Sequence, residues 1–198
     1  MINMKLFQKL KDEGIRASGN FSYADTELSW VLTDDGTLTI IGKGDMSKID
    51  DDFGDRVDET DYDIHAFYYP IVCCYPWFSY HDTVRTVVIG EGIESIQGET
   101  FMRYVNIERV ILPSSLKKLG FWTFYFCYQL KEVICFAEVP ADIDSNSFEG
   151  IAEDAVLYVP ENSVETYRRD ANWNKSFREI RSICQGNREW INQITNYE

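Results

Sequence analysis

Residues 84–106 read VRTVVIGEGIESIQGETFMRYVN, and the next 23 residues, 107–129, read IERVILPSSLKKLGFWTFYFCYQ. Laid one under the other, their apolar positions coincide. Val84, Ile107 and Leu130 share a column, as do Val87, Val110 and Val133, and then Ile89, Leu112 and Cys135. Ile93 aligns with Leu116 and Val139, Ile96 with Leu119, and Phe101 with Phe124, with Phe148 following after one inserted residue. A fourth strand, Val156 to Val159, repeats the core pattern, and Pro160 stands where Pro113 stands. Self-similarity at a fixed period of this length is the mark of a solenoid.

Each unit reads as one strand (Val87-Val88-Ile89), a turn carrying Gly90 and Gly92, a second apolar pair, and a short helical or irregular return ending in a buried Phe. One unit cannot cover its own apolar face, so the units must stack, and each column becomes a ladder of like residues in a shared core. The flanks close the stack. From Leu28 to Met46, apolar alternation on both sides of Asp35-Gly36 predicts a β-hairpin with a two-residue turn. Ser163 to Tyr167 predicts a helix capped by Ser163 or Asn162, and Trp190, Ile191 and Ile194 at helical spacing predict another within 187–194. The chain divides accordingly into an N-terminal helical or leader segment (1–19), a hairpin cap with an acidic and aromatic insertion (20–82), repeats (83–160), and a helical cap and tail (161–198).

These units resemble the BspA-type leucine-rich repeats of bacterial proteins, in which Val-x-Ile-Pro and Val-x-x-Ile are followed by Ala-Phe-x-x-Cys-x-x-Leu. Thr123 to Leu130, TFYFCYQL, matches the last segment with its cysteine, Cys127. Trp30 to Ile40 with Gly42 and Gly44 is similar to the hairpin that precedes such repeats, and Pro76-Trp77 to the tryptophan that leads into them. Leu157 to Pro160 with Tyr167, Trp173, Phe177 and Ile180 is similar to the closing segment. The resemblance covers about residues 20–183. It implies a β-rich α/β fold: a short right-handed leucine-rich-repeat solenoid with parallel strands, an N-terminal hairpin cap and a C-terminal helical cap. It implies a class often secreted or displayed on cells, used in adhesion to bind other macromolecules, with no catalytic residue and no cofactor. Two departures stand out. The family commonly carries a long array behind an export signal, whereas Met1 to Gly14 has no apolar run longer than Leu6-Phe7. The residue between the two core positions of a strand, often Thr in the family, is here Val88, Ile111, Ile134 and Tyr158.

Composition excludes several partners. The 198 residues carry 33 acidic and 19 basic side chains, a net charge of −14, which repels a phosphate backbone, so nucleic acid is not expected. The most apolar stretch, Ala66 to Phe78, is interrupted by Pro70 and Pro76 and is too short for a membrane span. Gly42-x-Gly44 and Gly90-x-Gly92 lack the third glycine of a phosphate loop, and no Gly-x-Ser-x-Gly elbow occurs. His65 and His81 are the only histidines, too few for a zinc site, and nothing marks an activated thiolate in Cys73 or Cys74. The five cysteines read as free and mostly buried. Asp45 to Asp63 holds nine carboxylates against Lys48 and Arg56, but Gly54 falls at the wrong position for a calcium loop, so no metal is expected and the run reads as a solvated insertion. No carboxylate sits in an apolar stretch that would poise it for glycoside hydrolysis.

What remains is surface. Phe121 to Tyr128 holds six aromatics; Phe124 belongs to the core column, so Trp122, Tyr125, Phe126 and Tyr128 cannot all be buried by the same stack. Rings with a polar tip suit binding surfaces. A second candidate is the row Val88, Ile111, Ile134 and Tyr158, flanked by Thr86, Arg109 and Glu132, which alternation turns away from the core. Stacked strands would align it into an apolar stripe about 14 Å long. Such a stripe must be covered, by the chain's own 45–80 segment or by a second copy. The expected function is therefore non-enzymatic binding of another protein. A carbohydrate-binding module stacking sugars on Trp122, Tyr125 and Tyr128 is the alternative.

Overall fold

The computed structural model describes residues 14–23, 26–46, 75–184 and 186. Among the described residues there are eleven strands, nine of which lie in two rows of parallel ladders joined by one shared strand. β1 (Ile15–Tyr23), β2 (Thr26–Thr33) and β3 (Thr37–Asp45) form an antiparallel meander. The first half of β3 then pairs in parallel with β4 (Thr86–Ile89), followed by β6 (Arg109–Leu112), β8 (Glu132–Cys135), β10 (Val156–Val159) and β11 (Glu179–Ser182). Its last residues pair with β5 (Ile93–Ile96), which starts the second row with β7 (Lys118–Leu119) and β9 (Asp142–Ile143). The hairpin thus supplies the first rung of both rows, which is how it caps the solenoid. β1 begins inside the segment 1–19 set apart above as a leader; residues 1–13, the acidic run from 47 on, His65, Cys73, Cys74 and the helix expected at 187–194 lie outside the described residues.

Strand pairing puts like on like. Leu38, Val87, Val110, Val133, Leu157 and Ile180 occupy one buried column, and Ile40, Ile89, Leu112, Cys135 and Val159 the next. Burying one such side chain contributes about 1.5–3 kcal/mol. Phe101, Phe124 and Phe148 stack face to face behind them, with successive ring centroids 5.3 Å apart and all three rings buried. The ladder extends one rung past the four strands read from the repeat. β11 falls 23 residues after β10, with Ile180 in register with Leu157.

Three details differ from the sequence reading. Val139 is 75% exposed, because the inserted residue falls before β9, where Lys118 pairs with Asp142, rather than next to Phe148; Ala141 and Ile143 are the buried residues there. The hairpin loop has three residues, Asp34, Asp35 and Gly36, with Gly36 at φ 86°, a left-handed conformation that glycine adopts without strain. Ser163 and Asn162 do not cap the helix α1 (Val164–Arg169); Asn162 belongs to a 3₁₀ turn, Glu161–Ser163, and Ser163 already has helical backbone. The side-chain cap belongs to α2 (Ala171–Ser176), where Asp170 Oδ1 accepts from the backbone N–H groups of Asn172 and Trp173, both at 3.0 Å. The three described cysteines are free, as read from the sequence, with Cys127 and Cys135 buried and Cys184 exposed.

Aromatic side chains plug both ends of the core. Phe21, Trp30, Tyr75, Trp77 and Tyr80 pack ring on ring under the meander. Tyr167, Trp173 and Phe177, carried by α1, α2 and the residue after α2, close onto Phe148. Tyr167 is anchored by donating from its hydroxyl to the Ala137 carbonyl at 2.9 Å, and Trp173 by donating from its indole to the Ala141 carbonyl at 2.8 Å.

Truncating Phe124 removes the middle ring of the stack, so Phe124→Ala should cost about 3–5 kcal/mol and lower the thermal midpoint steeply; an unchanged midpoint would contradict the ladder. The hairpin makes a pH prediction. Burial pushes the Asp35 carboxyl up, but it accepts bonds from the Thr33 hydroxyl and from the Thr37 N–H and hydroxyl, which outweigh burial and hold it below the usual carboxylate value. A depressed folded value means that this contribution is present in full above the unfolded carboxyl's ~3.9 and is lost as pH falls through the lower folded value. Wild-type melting should therefore fall more steeply than that of Asp35→Asn between about pH 4 and pH 2. Equal slopes in paired calorimetric scans would remove Asp35 from the account.

Candidate functional site

The first row of binding candidates is built as expected but is not a surface. Val88, Ile111, Ile134 and Tyr158 lie side by side on consecutive strands, facing away from the repeat core. Val88 is 0% exposed, and Ile111 and Ile134 are 1% exposed, within a single chain; Tyr158 is half-buried. Phe136, Tyr158 and Ile183 pack against them, and the Arg109–Glu132 ion pair stands alongside. The stripe is therefore covered by this chain and does not await a second copy. The described parts of the 45–80 segment do not provide that cover. Met46, Tyr75 and Trp77 belong to the repeat core on the opposite side of the sheet.

The second set of candidates comes together as a strip of rings on the turns that follow β7. Phe121 meets Trp122 edge to face at 5.6 Å, Trp122 meets Tyr125 at 5.5 Å, Tyr125 stacks on Phe126 at 4.0 Å, and Phe126 stacks on Tyr128 at 5.3 Å. Phe121 and Tyr128 are 42% and 56% exposed, and the three rings between them are half-buried. The Arg103 guanidinium lies over the Phe126 ring, 5.9 Å from its centroid, a cation–π contact. Phe121 and Arg103 were not among the expected site residues. The period could have found Arg103, since it stands one repeat before Phe126.

The backbone under the strip is fixed by its neighbours. Trp122 and Phe126 sit at φ 54° and 57°, as do their equivalents one repeat earlier, Glu99 at 64° and Arg103 at 60°. For residues with a Cβ this left-handed conformation costs about 1–2 kcal/mol each. Bonds between successive turns hold it. The N–H groups of Phe101 and Arg103 donate to the Thr123 and Tyr125 carbonyls at 3.0 and 2.8 Å, and those of Phe124 and Phe126 to Ser147 and Glu149, both at 2.8 Å. Buried hydroxyls pin the same turns, Thr100 donating to the Gln97 carbonyl and Thr123 to that of Gly120, each at 2.7 Å. Where the next repeat would place a third side chain, Gly150 stands at φ 75°, and a Cβ there would run into the Phe126 ring.

The remaining candidates for chemistry are dispersed. His81, the one described histidine, is exposed, stacked on Phe78 at 5.1 Å. Burial pushes the Cys127 and Cys135 thiols well above the ordinary range, which leaves both as protonated core residues. Among the described residues no three histidine, cysteine or carboxylate side chains cluster as metal ligands, and no helix is long and apolar enough to cross a membrane.

The sequence profile of the BspA type leucine rich repeat region matches residues 75–188 in six copies. The chain belongs to this family. As a BspA-type repeat protein it is similar in structure to a leucine-rich repeat protein from Eubacterium ventriosum, at 19% identity and a TM-score of 0.43 over 83% of this chain and 40% of that one. A leucine rich cell surface protein from Faecalibacterium prausnitzii is similar at 18% identity and a TM-score of 0.36 over 85% and 44%. The chain thus spans less than half the length of either structure. No curated protein matches it in sequence.

Within this BspA-type frame, Gly150→Ala adds a methyl group where the Phe126 ring lies and forces an alanine to positive φ. It should cost at least about 1 kcal/mol and change the near-ultraviolet dichroism of the strip; an unchanged spectrum with unchanged stability would show that Gly150 does not seat Phe126.

Proposed function

We propose that this chain is a non-enzymatic interaction module that binds another protein, and that it binds through Phe121, Trp122, Tyr125, Phe126 and Tyr128. The observation that carries the reading is the unbroken ring-to-ring strip, part exposed, on turns whose backbone is tied to both neighbouring repeats. Aromatic rings bring large contact area with few rotatable bonds, and a frame ordered beforehand leaves little entropy to lose on binding. A net charge of −14 draws in a cationic partner at long range and disfavours an acidic one, so the partner fitted to this surface is a protein or peptide with basic and apolar side chains. Adhesion is the setting that suits such a module, with the rings making contact and the repeat stack acting as scaffold. Catalysis has no part in this reading.

Displayed peptide libraries selected on the wild-type chain test it. Enriched sequences should be basic and aromatic or aliphatic, and should lose at least about tenfold in affinity, about 1.4 kcal/mol, on Trp122→Ala/Tyr128→Ala, a variant that keeps the core rings. Equal binding to that variant would move the site elsewhere on the molecule. A glycan array bound by the wild type and lost by the same variant would replace the protein partner with a carbohydrate.

A further inference from the structure

Next to the aromatic strip the surface opens into a cleft, and the two share a residue. Gly150, against which the Phe126 ring lies, also lines an open cleft of about 560 Å³ between the last repeat turn and the C-terminal cap. That volume is in the range of clefts that receive a ligand. Its floor is apolar, with the Phe148 and Phe177 rings 5.0 Å apart between centroids. Its rim is charged. Glu149 and Glu153 belong to the repeat turn, Lys175 and Arg178 to the cap at the end of α2 and just after it, and all four are exposed. Among the described residues none of these four enters an ion pair, although two carboxylates and two cations line one cleft.

The order of these groups along the stack is set by the core. Phe124, Phe148 and Phe177 occupy successive levels, 5.3 and 5.0 Å from ring to ring. The surface follows the same three levels: first Phe126 and Tyr128, then Glu149 and Glu153, then Lys175 and Arg178. Backbone bonds tie the first level to the second, the Phe126 N–H donating to the Glu149 carbonyl at 2.8 Å and the Ala152 N–H to that of Leu130 at 3.3 Å. A surface that is apolar, then anionic, then cationic fits a partner with the complementary order.

We infer that the cleft continues the binding surface proposed above and takes a peptide segment running along the stack, with apolar side chains on the rings, a lysine or arginine at Glu149 and Glu153, and an aspartate or glutamate at Lys175 and Arg178. This rests on the strip being the contact surface. An extended peptide advances about 3.3 Å per residue and stacked strands repeat about every 4.8 Å, so the three groups follow one another within about two positions each. The cleft adds what the strip lacks. Rings accept apolar side chains of many kinds, and a net charge of −14 selects only for overall basicity. The order of charges discriminates between peptides of the same composition, because the wrong order sets like charges against each other.

Exchanging the charges tests it. Glu149→Lys/Glu153→Lys/Lys175→Glu/Arg178→Glu inverts the cleft in the full-length chain and leaves the net charge at −14, so long-range attraction is unchanged. Displayed libraries of random peptides selected on the wild type should return the order apolar, basic, acidic, and the same libraries selected on the exchanged chain the order apolar, acidic, basic. A peptide from the first selection should bind the exchanged chain at least about fivefold more weakly at low salt, and the gap should shrink at about 1 M salt, where the screening length is about 3 Å. The same charge order from both chains, or no order, would overturn the inference; the strip would stand if the apolar block were still lost on Trp122→Ala/Tyr128→Ala. Peptides without an apolar block, or no enrichment on the wild type, would remove strip and cleft together. Should the exchange lower the thermal midpoint, Glu149→Gln/Glu153→Gln gives a second reading. It should abolish the preference for the basic residue and keep that for the acidic one, and an unchanged preference would equally sink the idea.

Discussion

Each core side chain of this protein rests on its own equivalent one repeat away. That contact is what a 23-residue unit cannot make alone, and the other features follow from it. Phe124 has a ring above and a ring below at 5.3 Å, so its column admits only residues of one shape. The same translation carries charge: Arg85 meets Glu108, Arg109 meets Glu132, and Glu94 meets Lys117, each pair 23 residues apart. Such exposed pairs contribute only about 0–1 kcal/mol each, so they follow the register more than they enforce it. Enforcement comes from burial and from the backbone bonds that join turn to turn, and a stack held that way has two open ends. Both are closed with large aromatic side chains, Trp30, Tyr75 and Trp77 at one end and Tyr167, Trp173 and Phe177 at the other.

What could be read in the sequence was what repeats. The columns of Val87, Ile89, Phe101 and their equivalents need no outside information, because a ladder of like residues shows up as self-similarity. Features that break the period were harder to see. An inserted residue leaves no trace of where it enters, so Val139 was aligned into a column that the strand register assigns to other residues. β11 starts with Glu179 and stands behind two helices, yet it keeps the 23-residue step, with Ile180 under Leu157. Local propensity also argued against the truth at Trp122 and Phe126. Bulky residues avoid positive φ, and here bonds from neighbouring turns overrule that preference.

The candidate site divides along the same line. Alternation along a strand said correctly that Val88, Ile111, Ile134 and Tyr158 share a face, but alternation carries no information about what lies over that face. Burial of the first three is a tertiary fact, and it takes the row out of the list of surfaces open to another molecule. For the rings the inference ran the other way. Once Phe124 and Cys127 are committed to the core, a tight turn has no room to bury four more aromatics, and exclusion alone said that some of Trp122, Tyr125, Phe126 and Tyr128 stand outside it.

These two outcomes are linked by how a parallel ladder disposes of apolar residues. A strand with β-branched residues at successive positions is apolar on both faces, and the chain must cover both or aggregate. Here the inner face is filled by the repeat and the outer face by other parts of the same chain, so the strand row has little apolar area left to offer. The turns are then the place where large rings can stand exposed without leaving a hole beneath them. They can stand there because the rung below carries Gly150, whose missing side chain makes room for Phe126, and the rung above carries Arg103, which covers the other side of that ring with a charge. A leucine at 103 or an alanine at 150 would preserve the period of the repeat and still dismantle the strip, so the surface depends on the two rungs where the columns are deliberately unlike.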